Sequence, residues 1–280
     1  MEIRRWLFRW LLALTLLWIG GPVFASPQQG GGADESAELE TPLPEPDLES
    51  ELELALLQLK AAMKIHESSR GRKGPRRLQI LHEAIAAYKL VDQWPQAKQQ
   101  RAIAGFRRGE IHRALDESGS ARAAFEEVLE VTSRQQDLHI RSVLELGHLD
   151  RRERRWGDCK RRYQQAIACK QASLRFRNDA REWLVKLHLT TMAWTSAVAE
   201  VEAWLEFCEG PVEEIIALDL QLRAMIGARQ LREAREDLLE LQSRMALLAE
   251  APTAEGRRIQ RALGQMKAPV ALQLARQNGR

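Results

Sequence analysis

Histidines and carboxylates are the first side chains in this sequence that could do chemistry. The segment His82-Glu83-Ala84-Ile85-Ala86 begins like the zinc-protease helix, in which two histidines one turn apart hold one metal ion. Position 86 is Ala, so the second ligand is missing. His112 and His188 could act as general bases, but no carboxylate stands at a shared offset that would orient both. We therefore predict no catalytic residue, no metal site and no cofactor, and we predict that the protein is not an enzyme.

Basic segments suggest a second kind of chemistry, the binding of anions. The loop at 71–75 could hold a phosphate by charge alone, although a solvated turn is the simpler interpretation. The segment 147–170 carries eight Lys/Arg against three Asp/Glu, with Trp156 and Tyr163 among them. Nucleic-acid bases stack only on exposed aromatic rings. Both aromatics fall on positions of a repeat that predicts their burial, so the sequence argues against nucleic acid as a partner.

The N-terminal residues have the organisation of a signal peptide. A basic start is followed by the apolar run Trp10–Ile19 and then by Val23-Phe24-Ala25, a pattern typical of a cleavage site. The apolar run is shorter than the roughly 20 residues that span a bilayer. We predict that residues 1–25 are removed near Ala25-Ser26, that the protein is exported to the periplasm or the extracellular space, and that no membrane span remains. An uncleaved anchor is the alternative.

The charge of the chain is divided unevenly along its length. Residues 26–53 hold nine Asp/Glu and no Lys or Arg, whereas residues 54–280 hold 39 basic and 29 acidic residues. One-signed charge and low hydrophobicity disfavour folding, so we predict a disordered acidic leader over 26–47. The remainder is rich in Ala, Leu, Glu, Gln and Arg, which favour helix.

Three cysteines leave at least one thiol unpaired. Cys159 and Cys169 lie about 15 Å apart along one predicted helix, which is too far for a disulfide. Cys169 with Cys208 is the pair that remains open, and three idle or buried thiols are the alternative.

The predicted helices contain a repeat. A small residue recurs at intervals of 37, 38, 38 and 37, and each is followed four residues later by a large apolar residue. Twelve residues before four of the small residues stand Gly, Gly, Val and Leu, which predicts two helices in each unit. Small residues let the two backbones approach closely, and the large residue fills the gap to the next pair. The small residues are Ala84, Ala121, Cys159, Ala197 and Ala234; the large ones are Tyr88, Phe125, Tyr163, Val201 and Leu238; the four preceding residues are Gly109, Gly147, Val185 and Leu222.

The unit 147–166 resembles the tetratricopeptide repeat (TPR) family, whose pattern is Leu-Gly on the first helix and Ala, aromatic, Ala on the second. The match consists of Leu146-Gly147, Trp156, Cys159, Tyr163 and Ala166. The period exceeds the family's 34 residues, and the family's usual Tyr is replaced by His112, Asp150, His188 and Met225 in successive units.

The resemblance implies an all-α fold, an α-solenoid of about five helix-turn-helix repeats over 48–250. Residues 251–280 would supply a C-terminal capping helix and tail, because the exposed end of such an array needs a polar cap.

The resemblance also implies that first helices line a concave groove that binds a protein or peptide. A mixed apolar and basic stripe on these helices suits a partner with acidic side chains between apolar ones. The predicted groove residues are Phe106, Arg113, Arg141, Leu144, His148, Arg151, Arg152, Lys186 and Arg223. The functional prediction is thus a non-enzymatic exported scaffold. In the alternative, the basic array binds polyanions or its own acidic leader as an autoinhibitory switch.

Overall fold

The computed structural model describes residues 47–133, 137–250 and 253–265, and every regular element in those ranges is helical. The predicted signal peptide, nearly all of the acidic leader and the C-terminal tail lie outside the described residues. The helices, in chain order, are α1 (Leu48–Ser68), α2 (Gly74–Lys89) followed by a 3₁₀ turn (Leu90–Gln93), α3 (Lys98–Ala114), α4 (Ser118–Val131), α5 (Asp137–Arg152), α6 (Trp156–Ala168), α7 (Leu174–Thr190), α8 (Trp194–Leu205), α9 (Pro211–Gly227), α10 (Leu231–Glu250) and α11 (254–265).

Consecutive helices pack against each other along the whole described chain, which confirms the predicted all-α solenoid. The five recurring small residues are fully buried, and the residues that follow them by four and seven positions are buried as well. Each first helix also contacts the first helix of a neighbouring unit. For example, α5 contacts both α3 and α7, in addition to its contacts with the consecutive helix α4. The repeat therefore marks the helix crossings.

Close approach of the paired helices depends on a match of side-chain volumes. A Cβ atom added to Gly109 would lie 2.5 Å from the ring of Phe125, and one added to Gly147 would lie 2.7 Å from the ring of Tyr163. In the next unit the corresponding pair is Val185 with Val201, both fully buried. A glycine thus stands opposite an aromatic ring, and an aliphatic residue stands opposite another aliphatic one.

Four hairpin turns have the same geometry, and they recur at the interval of the repeat. The turns between first and second helices each place one non-glycine residue at φ near +60°, at Asp116, Arg154, Met192 and Arg229. In each turn the following N–H bonds to the carbonyl five residues back, as Arg155 N does to Asp150 O at 2.8 Å. This is the Schellman helix end, which usually takes glycine at the left-handed position.

The turns lie earlier than the turn-forming residues of the sequence suggest. Those residues stand at Asp116–Gly119 and Trp156–Asp158, but α4 already begins at Ser118 and α6 at Trp156. Gly119 and Gly157 therefore lie in the first turns of second helices rather than between helices. The described helices include none that is both long and apolar enough to cross a bilayer.

Candidate partner-binding surface

The first helices α3, α5, α7 and α9 present one continuous surface, which α11 extends at the C-terminal end. We call it the first-helix face. Contacts between neighbouring first helices join it: Arg113 of α3 pairs with Glu145 of α5, and Arg151 of α5 lies over Trp183 of α7. Eight of the nine predicted groove residues lie on this surface or directly beneath it.

The centre of the first-helix face is Trp183, a half-buried side chain of α7. Two cations flank its ring, with Arg151 Cζ 4.7 Å and Lys186 Nζ 4.4 Å from the ring centroid. The ring of His148 meets it edge-on at 4.7 Å. Arg151 Nε is buried and has no hydrogen-bond partner in the described part of the chain. The accessible part of the ring can contact an apolar side chain, and the two cations can bind an anionic one.

His148 connects the surface to the helix pair beneath it. Its Nδ1 lies 2.9 Å from the hydroxyl of Tyr163, the aromatic residue that packs on Gly147. Burial, followed by the positive charges of Arg113, Arg151 and Lys186, lowers the pKa of His148 to about 4. The imidazole is therefore neutral near pH 7, and the direction of its hydrogen bond with the Tyr163 hydroxyl depends on the tautomer. The cluster's positive charge comes from Arg and Lys.

At the α3 and α5 end, basic side chains of the face are matched by acidic ones. The Arg141 guanidinium lies 4.3 Å from the ring centroid of Phe106 and 3.8 Å from Glu110. Arg113 donates to Glu145. Burial raises the pKa of Glu145, although Arg113 opposes the shift. This end of the face is consequently nearly balanced in charge.

A cavity of about 460 Å³ opens between α7, α9 and α11. Lys186 pairs with Glu182 and Arg223 with Asp219, the latter at 2.7 Å. Asp219 Oδ1 is buried without a hydrogen-bond partner among the described residues, and burial raises the pKa of Asp219. The remaining lining is apolar or basic apart from the amide of Gln265: Val212, Ile215, Ile216, Leu220, Arg258, Arg261, Ala262 and Gln265.

Three predicted groove residues are placed differently from the prediction. Arg152 is at the end of α5, where it pairs with Asp116 of the α3–α4 turn, away from the other members. Phe106 and Leu144 are only 2% and 6% exposed, so a partner cannot reach them without rearrangement. They support Arg141 and its neighbours from below.

Sequence reasoning did not select two apolar side chains that are accessible on this face. Trp183 is half-buried and Ile216 is 37% exposed. Trp183 lies three residues before Lys186 and Ile216 seven before Arg223, spacings that put each beside a predicted groove residue on its helix. The available signal was a large aromatic residue beside a predicted groove residue of a first helix, at a position that the repeat pattern does not explain.

The basic stretch at 147–170 has a structural explanation. Asp150 is 1% exposed and accepts from three arginines, Arg122 at 2.9 Å, Arg155 at 2.6 Å and Arg162 at 2.9 Å. These arginines come from α4, from the α5–α6 turn and from α6, so one buried carboxylate joins two units. Much of the apparent excess of positive charge is neutralised within the fold.

The other chemically suggestive residues are distributed among separate units. His112 Nδ1 lies 2.6 Å from Glu117 in the α3–α4 turn, whereas His188 is buried at the end of α7. Cys159 is buried, and burial raises its pKa to about 11. Cys169 Sγ lies near Gln171 and Cys208 Sγ near Trp204 O, and the pairing of these two cysteines stays a prediction.

Comparison with known proteins identifies the fold. No protein-family model matches the sequence, and no curated protein matches it. The structure is similar to that of the MamA protein, with a TM-score of 0.52 and 16% identity, over 70% of this chain and 97% of that one. It is also similar to the nearly identical TPR-like repeats of a putative kinesin light chain from Podospora anserina, with a TM-score of 0.53 and 15% identity, over 73% of this chain and 100% of that one.

At sequence identities this low, the structural similarity establishes the fold and nothing about function. The stacked pairs of helices agree with the TPR-like repeats named for one of these neighbours. The chain is therefore a divergent α-solenoid with the TPR-like fold.

Proposed function

We propose that this protein is a non-enzymatic scaffold that docks a protein or peptide partner on its first-helix face. The observation that carries the proposal is the cluster at Trp183, where a half-buried aromatic ring is held between Arg151 and Lys186. Rings and guanidinium groups are the side chains that most often dominate binding energy at protein interfaces.

The chemistry of the face indicates the kind of partner. Trp183 and Ile216 offer apolar contacts, and the Arg151 guanidinium of α5 lies over the Trp183 ring. Arg258 and Arg261 add positive charge at the far end of the cavity. A segment with apolar anchors between acidic side chains complements this arrangement, since arginine forms two parallel bonds with a carboxylate.

The carboxylates of the first-helix face are paired with cations, which suits the face to binding a partner. Arg113, Arg223 and Lys186 neutralise Glu145, Asp219 and Glu182. Within residues 47–133, 137–250 and 253–265, no cluster of three or more His, Cys, Asp or Glu could hold a metal ion. The groups near Trp183 are therefore suited to recognising a side chain.

We further propose that the scaffold acts outside the cytoplasm. The basic start, the ten-residue apolar run and the cleavage pattern before Ser26 support export to the periplasm or the extracellular space. Detection of a mature N-terminus at Ser26 by sequencing the secreted protein tests this part. Retention of residues 1–25 in a membrane fraction would support the uncleaved anchor instead.

A matched pair of charge reversals tests the docking surface. Arg151→Glu changes the first-helix face beside Trp183, whereas Arg161→Glu makes the same change on α6, where the side chain is 75% exposed. Partners are captured from native envelope extracts and quantified by mass spectrometry. The proposal expects Arg151→Glu to remove at least one partner that Arg161→Glu retains. Equal recovery on both variants refutes docking at this face.

The charge asymmetry of the chain favours a second candidate, an autoinhibitory contact with the acidic leader. Residues 26–53 carry nine acidic residues, and a tethered segment acts at millimolar effective concentration. Deleting residues 26–47 should then increase partner affinity at low salt but not at high salt, because salt screens exposed charges. Unchanged affinity at both salt concentrations removes this candidate.

A further inference from the structure

The N-terminal end of the solenoid exposes a row of leucines on α1. Leu54 is 39% and Leu57 56% exposed, and the exposed Ala61 continues the row. The spacing of three and four residues puts these side chains on one side of the helix. The buried residues Ala55, Leu59 and Ala62 face the opposite side, toward the rest of the fold.

The row is distinct from the first-helix face. Met63 and Glu67 of α1 line a small cavity with Arg107 of α3, which places the first-helix face on another side of α1. Gln58 Nε2 donates to Ala87 O of α2, so a third side is occupied by the second helix. The leucine row thus points away from the stack, where a preceding unit would lie in a longer array.

The two ends of the solenoid are unlike each other. At the C-terminal end, α11 buries Ile259 and Leu263 and exposes Arg257, Gln260 and Arg261. That is the polar outer face that a capping helix needs. α1, with three buried residues in 21, has no such polar cover over its leucines. By contrast, α5 in the middle of the stack buries nine residues in 16.

The charge pattern of α1 is complementary to that of a second α1 helix that runs antiparallel to it. Glu49, Glu51 and Glu53 lie in the N-terminal half, and Lys60 and Lys64 lie in the C-terminal half. Two such helices side by side and antiparallel bring the acidic half of each against the basic half of the other. Their dipoles also oppose favourably in this arrangement.

We propose that the leucine row binds a second copy of this chain, through an antiparallel two-fold contact between the two α1 helices. With the axis between Leu54 and Leu57, each Leu54 packs against Leu57 of the second copy. Glu53 of each copy then lies beside Lys60 of the other, on the flank of the apolar seam. A two-fold contact uses the same patch on both subunits, which the self-complementary charge pattern of α1 provides.

The chain's own leader is a poorer occupant of this surface. Residues 26–47 contain only Leu39 and Leu43 as large apolar side chains, together with six acidic residues. The leader's acidic residues nearest to α1, Glu45 and Asp47, directly precede Glu49 and Glu51 in the chain, where like charges repel. The proposal does not depend on the function proposed above, because the leucine row and the first-helix face lie on different sides of α1.

The first test is the mass of the full chain as purified from cells, measured by sedimentation velocity. The proposal expects twice the mass of one chain, and expects Leu57→Glu to give the single-chain mass with an unchanged circular dichroism spectrum. Leu239→Glu is the matched control, because Leu239 is 58% exposed on α10 at the other end of the stack. It should leave the doubled mass intact.

The second test identifies the occupant by mixing two charge reversals. Glu53→Lys and Lys60→Glu should each weaken self-association at least tenfold at low salt, since each homodimer then places like charges together twice. A one-to-one mixture should recover the dimer, because every cross pair is again opposite in charge. These positions are seven residues apart on one helix, about 10 Å, so rescue must act between copies.

Three outcomes overturn the proposal. A single-chain mass for the wild-type protein does so, as does a dimer that survives Leu57→Glu. Dimers that appear only after residues 26–47 are deleted would show that the leader covers the row.

Discussion

The volume match between Gly109 and Phe125 gives a quantitative prediction about the helix crossings. A Cβ atom at position 109 would lie 2.5 to 2.7 Å from three atoms of the Phe125 ring, about 1 Å closer than ordinary contact. The ring is fully buried and packs against Phe106 with centroids 5.5 Å apart. It therefore has little room in which to retreat.

Three variants measure this constraint as a double-mutant cycle. Gly109→Val should destabilise the fold by about 3 kcal/mol through overpacking. Phe125→Val should cost about 2 to 3 kcal/mol through the cavity it leaves. In the double variant the new methyl groups fill that cavity and reproduce the Val185 and Val201 pair found two units later. We expect the double variant to be at least about 2 kcal/mol more stable than the sum of the single effects.

Urea unfolding followed by circular dichroism at 222 nm supplies the free energies. Gly119→Ala is the control, because a Cβ atom there meets nothing within 4 Å. It should be neutral or slightly stabilising, since Ala favours helix over Gly by up to about 1 kcal/mol. Additive single effects at positions 109 and 125 would refute the argument that the two helices are held together by matched volumes.

Three further predictions concern the turns, the buried carboxylate and the histidine. Met192→Gly should raise stability by about 1 kcal/mol, because Met192 adopts φ +59° and a left-handed conformation costs L-residues about 1 to 2 kcal/mol. Met192→Ala is the control. Thermal unfolding that shows no rise in Tm for the glycine variant contradicts the prediction. Asp150→Ala should destabilise by about 3 to 5 kcal/mol in urea unfolding, since it leaves three arginines without their buried partner; a loss below about 1 kcal/mol argues against this carboxylate as the link between units. The pKa of His148 is lowered from 6.5 to about 4 in the folded state, so the unfolded state binds more protons between those pH values. Stability should therefore fall as the pH drops from 6.5 to 4, by at most about 3 kcal/mol. Urea titrations at several pH values should show a shallower loss of stability for His148→Gln, and the same dependence on pH in both proteins contradicts the assignment.

The repeat could be predicted from sequence because its strongest signal is physical. Only small residues fit where two helices cross closely, so Ala84, Ala121, Cys159, Ala197 and Ala234 recur at an almost constant interval and are all fully buried. The residues four positions later fill the adjacent gap for the same reason. Helix content and approximate helix ends followed from this pattern.

The turns were harder to place because they do not use the residue that their geometry favours. Glycine usually marks a left-handed helix end, yet Asp116, Arg154, Met192 and Arg229 occupy these positions. The glycines nearest to two of these turns, Gly119 and Gly157, lie instead in the first turn of the next helix. The hydrogen bonds of the Schellman end hold the conformation without a glycine.

The binding surface was only partly predictable because burial and pairing depend on neighbouring units. Periodicity placed Phe106 and Leu144 on the stripe, but the adjacent helices cover both. In the sequence, Arg155 and Arg162 belong to a basic segment, but in the fold both form ion pairs with the buried Asp150. Trp183 carried no repeat signature, and its contact with Arg151 depends on how α5 packs against α7.

Site-specific photo-crosslinking in cells that naturally make this protein tests the central claim most directly. A photoreactive phenylalanine analogue replaces Ile216 on the first-helix face or Arg161 on α6. The account predicts that position 216 yields a discrete adduct with a partner protein and that position 161 does not. An adduct at position 161 in the absence of one at 216 would contradict docking on the first-helix face.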